Sequence, residues 1–99
     1  MKTFVAALLL ALAAAPALAA EDGAALYKAK CSSCHGPDGK GEVPMGKALK
    51  VKSLVGTKLG AAEIEKITTE GRPGTKMLAV KGLSAEQHKA IAAFVKGLK

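Results

Sequence analysis

The stretch Cys31-Ser32-Ser33-Cys34-His35 decides how this chain is read. Two thiols three residues apart, followed at once by an imidazole, form the C-x-x-C-H attachment signature of c-type haem. The spacing has a chemical basis. Each thiol adds across one vinyl group of the porphyrin to give a thioether, and thiols at this separation on a turn of helix straddle one edge of the macrocycle. His35 then lies under the plane, where its imidazole serves as the proximal ligand to iron. Three other readings use the same residues. A thioredoxin-like redox pair wants a βαβ context, and no alternating strands flank Cys31. Zinc needs four ligands from separated positions, and the only Cys and His residues are Cys31, Cys34, His35 and His88. A plain disulfide closing so short a loop adds little stability.

Upstream, the chain opens on a short basic start, Met1-Lys2. An unbroken apolar run follows from Phe4 to Ala15, then Pro16 and the small-residue pattern Ala17-Leu18-Ala19. This is the pattern of a secretory signal peptide. The expected division is a cleaved leader over residues 1–19 and one domain over residues 20–99. The apolar run falls short of the ~20 residues a membrane-spanning helix needs, so no integral membrane segment is expected after cleavage. Export places the domain in the periplasm.

Composition narrows the function. The chain has 99 residues, no Trp, one Tyr and two Phe, and Phe4 belongs to the leader. A domain this small and this poor in aromatics closes only a modest core and needs a staple such as a disulfide, a metal or a cofactor. A self-sufficient catalytic domain is therefore not expected. The net charge is +7, of which the leader supplies one. Such an excess suits an acidic partner surface. Nucleic acid is not expected as a partner. The basic residues are spread along the chain, Arg72 is the only arginine, and aromatics for base stacking are nearly absent.

Downstream and upstream of the motif the patterning is helical. Asp22 can cap a helix over Glu21–Ser33, with Gly23, Tyr27 and Cys31 on one face. Gly36-Pro37-Asp38-Gly39-Lys40-Gly41 stops it. Few periodic signals mark residues 42–58. Leu59, Ile64 and Ile67 predict a short helix over Gly60–Glu70, ended by Gly71. Ser84-Ala85-Glu86-Gln87 is a capping box. It opens a last helix to about Lys96, with Ile91, Phe94, Val95 and Leu98 at i, i+3, i+4 and i+7. Candidates for a second axial ligand are Met45, Met77 and His88. Met77 stands in the Gly/Pro-rich loop Gly71-Arg72-Pro73-Gly74-Thr75-Lys76-Met77-Leu78-Ala79, whereas Met more often fills cores. Met45 lies only ten residues after His35, which makes the opposite face of the haem awkward to reach. His88 falls mid-helix and reads as structural or part-exposed.

With these residues in hand, the chain resembles the small class I c-type cytochromes, and among them the bacterial single-haem group of cytochrome c6 or c553 type. The resemblance runs from the attachment motif and the following H-G-P-D-G-K-G loop through the whole exported domain. It implies an all-α fold of three to four short helices wrapped around one covalently attached haem c. It also implies iron held by His35 and Met77, because the loop around Met77 is similar to the family's methionine loop. Leu78 stands where the family often has proline. The resemblance further implies that the Pro44 carbonyl holds the His35 imidazole N–H, a contact that would orient the ligand. It implies that the first and last helices cross at Gly23 and Tyr27 against Ile91 and Phe94. The implied function is a monomeric periplasmic electron carrier and not an enzyme. Lys40, Lys47, Lys50, Lys76 and Lys81 would steer it toward acidic docking surfaces on a membrane cytochrome complex, a terminal oxidase or a dehydrogenase. The alternative is a haem-based sensor or weak peroxidase with a labile distal ligand, and Met77 is the residue that separates the two.

Overall fold

The computed structural model describes residues 22–99. The expected leader, residues 1–19, lies outside the described residues. Asp22 begins the first helix as anticipated. Its carboxylate accepts from the Ala24 and Ala25 amides at 3.1 and 3.2 Å, which satisfies two of the amides a helix start leaves free. Helix α1 runs over Gly23–Lys30. The backbone turns at Cys31, and a one-turn helix α2 continues over Ser32–His35 until Gly36, at φ 83°, ends it. Helix α3 spans Pro44–Ala48, in a segment where the sequence offered no periodic signal. Proline at its first turn fits, because a first-turn residue has no intrahelical use for an N–H.

Helix α4, Ala61–Glu70, starts one residue inside the predicted segment. Glu63 reaches back to accept from the Gly60 amide at 2.9 Å, and Gly71, at φ 82°, closes the helix. Helix α5, Ala85–Lys96, opens on the predicted box with both arms formed. The Gln87 amide donates to Ser84 Oγ at 3.1 Å and the Ser84 amide to Gln87 Oε1 at 2.8 Å. Lys96 pins the loop before α4 to α5, its Nζ donating to the Thr57 and Leu59 carbonyls at 3.2 and 2.8 Å.

Helix α5 packs against both α1 and α4. The α1–α5 crossing is set by Gly23. A Cβ there would overlap the Ala90 carbonyl and stand 3.3 Å from Phe94 Cβ, so only glycine lets the backbones approach this closely. Above it, the Tyr27 and Phe94 rings pack 5.0 Å apart at 43°. The apolar core among the described residues is small: Tyr27, Cys31, Ile64, Ile91, Ala92 and Val95. The apolar face of α1 is narrower than its pattern suggests, since Ala24 and Ala29 are exposed and only Tyr27 is buried. Gly23→Ala is expected to force the two helices apart and cost about 1–3 kcal/mol by overpacking. Chemical denaturation of the intact protein measures it. An unchanged midpoint would mean that the close crossing is not formed.

Candidate functional site

Helices α1, α4 and α5 leave a cavity of about 870 Å³ between them and the two long loops. That is within the ~300–1,000 Å³ usual for cofactor sites. One wall carries Cys31, Cys34 and His35. Leu54 and Leu59 come from the loop before α4, Ile64, Ile67 and Thr68 from α4, Met77 and Val80 from the loop after it, and Ile91 and Val95 from α5. The motif and the predicted loop methionine thus line one cavity, although Met77 lies 42 positions after His35 in sequence. Met45 is not in the lining and is half exposed, at 50%. His88 is also absent from the lining.

The local fold explains why the motif faces inward. The His35 amide donates to the Cys31 carbonyl at 3.0 Å, so the five residues close one helical turn. The loop then folds back on that turn. The Gly41 amide donates to the His35 carbonyl at 2.7 Å, and the Tyr27 hydroxyl donates to the Gly36 carbonyl at 2.7 Å. Tyr27 is 1% exposed. Burial chiefly, with the neighbouring Cys31 and Asp38, pushes its phenol up to about 12, so it remains a proton donor at any physiological pH. Helix α3 seats against this loop through Gly46, where a side chain would collide with the Cys34 and Gly41 carbonyls. Tyr27→Phe removes the donor and leaves the Gly36 carbonyl its one remaining bond, from the Gly39 amide at 3.1 Å. The expected cost is about 0.5–1.5 kcal/mol, read as a lower denaturation midpoint.

The donor set suits a haem. Cys31 and Cys34 are both free thiols. Burial, and after it Cys34, pushes the Cys31 thiol up to about 11. Burial lowers the pKa of His35, which favours the neutral imidazole that binds metal. His35 Nδ1 is buried without a hydrogen-bond partner. Native structures rarely tolerate such a group, so the protein alone does not complete this site. Pro44 stands at the start of α3, exposed, and no hydrogen bond joins its carbonyl to His35. Among the described residues no group of three or more His, Cys, Asp or Glu is placed to hold a bare metal ion.

One expectation needs amending. His88 is not part-exposed: it is 6% exposed, and its Nδ1 lies 2.8 Å from Thr68 Oγ1. Of the lysines expected to steer docking, Lys50 and Lys76 line the cavity, and Lys30, Lys52 and Arg72 join them there. Thr68 was not singled out from sequence. Its position four residues after Ile64, on the same helical stripe, is the signal that marks it as inward-facing.

Comparison with known proteins gives a consistent result. A family profile described as cytochrome c oxidase, cbb3-type, subunit III, matches residues 18–95. Cytochrome c6 of Microcystis aeruginosa is 40% identical over 76 residues, covering 75% of this chain and 90% of the relative. Among solved structures, the c-type cytochrome KustC0563 superposes with a TM-score of 0.69 at 31% identity, over 79% of this chain and 98% of that one. The dihydro-heme d1 dehydrogenase NirN superposes with a TM-score of 0.62 at 25% identity, over 79% of this chain but 16% of that one.

Proposed function

The chain belongs to the c-type cytochrome family, an electron-transfer haem protein with covalently bound haem c, and from that premise we propose that it is a periplasmic one-electron shuttle using His35 and Met77 as axial ligands. The observation that carries the proposal is the shared cavity. Cys31, Cys34 and His35 form one wall, and Met77 reaches the same space from a loop between two helices. The haem supplies the one-electron couple of its iron. The residues around it set the terms. Cys31 and Cys34 would anchor the group, and His35 and the Met77 thioether would supply its iron ligands. A thioether ligand favours the ferrous state and raises the potential relative to two nitrogen ligands. Leu54, Leu59, Ile64 and Ile67 keep the interior apolar, which disfavours the additional charge of the ferric state.

The cations lining the opening, Lys30, Lys50, Lys52, Arg72 and Lys76, suit docking to an acidic redox partner. Encounter would then slow as salt rises. Among the described residues no helix is long and apolar enough to cross a membrane. A monomer exported by its leader, exchanging electrons with a membrane cytochrome complex, an oxidase or a dehydrogenase, is the arrangement we favour.

The test is mass spectrometry combined with voltammetry on protein exported together with a haem-maturation system. The expected result is a mass increase of one haem that survives denaturation, and a single reversible one-electron wave. Two freely alkylated thiols and no chromophore would instead identify an exported dithiol protein.

A further inference from the structure

We infer that Thr68 and His88 form a positioning strut that holds the Met77 loop over the cavity, and that the strut governs how firmly Met77 would stay on the haem iron. The inference rests on the assignment of Met77 proposed above. Thr68 works in two directions at once. Its backbone carbonyl accepts from the Val80 amide at 2.7 Å, closing the base of the loop three residues beyond Met77. Its hydroxyl lies 2.8 Å from His88 Nδ1, on the facing side of α5. Both side chains are buried, at 4% and 6% exposure. Thr68 also lines the same cavity as Met77. The loop therefore hangs from α4 at one residue, and that residue is tied laterally to α5.

The rest of the loop is held mainly by short-range bonds of its own. The Arg72 amide donates to the Met77 carbonyl at 2.9 Å, and the Met77 amide to Thr75 Oγ1 at 3.1 Å. These bonds shape the loop but do not dock it. Gly71 keeps its base tight, because a Cβ there would stand 3.0 Å from the Ala79 amide nitrogen and 3.1 Å from the Met77 carbonyl. Leu78, 76% exposed, does not anchor the loop inward. Docking thus falls to the Thr68–Val80 bond, and the stiffness of Thr68 to His88. The hydroxyl also lies 3.1 Å from the Glu65 carbonyl. In His88→Phe the Thr68 hydroxyl consequently keeps a partner, and an apolar ring fills the buried site. Thr68→Val has nearly the same shape but strands His88 Nδ1. Thr68→Ser retains the hydroxyl.

The experiment measures amide exchange at Val80 in the haem-loaded protein, together with carbon monoxide binding to its reduced form. In Thr68→Val and His88→Phe, Val80 exchange is expected to accelerate about tenfold, the loss of one hydrogen bond's stabilisation. Carbon monoxide should also displace the distal ligand more readily. Thr68→Ser should restore both. Wild-type exchange and carbon monoxide binding in both variants would overturn the strut, and so would a Thr68→Ser protein that behaves like Thr68→Val. Met77→Ala separates this proposal from the assignment beneath it. If that variant keeps the spectrum of the parent, Met77 is not the ligand, and Val80 exchange still decides whether the strut holds the loop.

Discussion

The Cys31→Ala, Cys34→Ala double variant, which has no thiol to attach haem, is expected to lose most of its helical circular dichroism and to show no cooperative unfolding transition. The reason lies in the core. Six buried apolar residues stand among the described residues, far too few to offset the conformational entropy of ordering a domain of this length. Other apolar side chains, Leu54, Leu59 and Ile67 among them, face the cavity. With haem in place they are covered by an apolar macrocycle; without it they would be wet. Attachment also ties α2 to the same group that α4 and α5 enclose. The expected outcome is therefore a change of state and not a modest shift in midpoint. A double variant that melts cooperatively would show that the helices fold without their cofactor.

The second large effect is on the redox equilibrium. With the ligation proposed above, Met77→Ala would remove the soft sulfur ligand and leave water or a nitrogen donor in its place. Axial ligands move haem potentials over ~0.8 V, and exchanging a thioether for a harder ligand is expected to lower the potential by more than ~0.1 V within that range. Voltammetry of the parent and the variant measures the difference. Met45→Ala is the matched control. Met45 is half exposed on α3 and does not line the cavity, so its potential should match the parent's. Equal shifts from both substitutions would remove Met77 from the ligand set.

Much of this architecture was legible because it depends on local chemistry. The motif at residues 31–35 encodes its own function through spacing. The Ser84 and Gln87 side chains close a box that needs only three intervening bonds of sequence, and Gly71 stops α4 as a C-terminal glycine does. The α1–α5 crossing was legible from Gly23, Tyr27 and Phe94 through the family resemblance, and the packing follows it. What the sequence hid was either too short or too distant. Helix α3 has five residues, less than two turns, so no apolar periodicity can develop. His88 looked part-exposed because its partner, Thr68, lies twenty residues away on another helix. The Tyr27 hydroxyl bond to Gly36 is likewise a product of the turn between them. His35 Nδ1 has no hydrogen-bond partner, and Pro44 is the first residue of α3.

The central claim is a six-coordinate haem carried by Cys31 and Cys34 and held by His35 and Met77. Visible absorption tests it most directly, recorded on the oxidised and dithionite-reduced protein and on Met77→Ala. The account predicts sharp reduced α and β bands, and in the oxidised parent a weak sulfur-to-iron charge-transfer band at the red end that vanishes in the variant. A high-spin parent spectrum that shifts at once with carbon monoxide would contradict it, and would make the protein a haem sensor or catalyst with an open distal site.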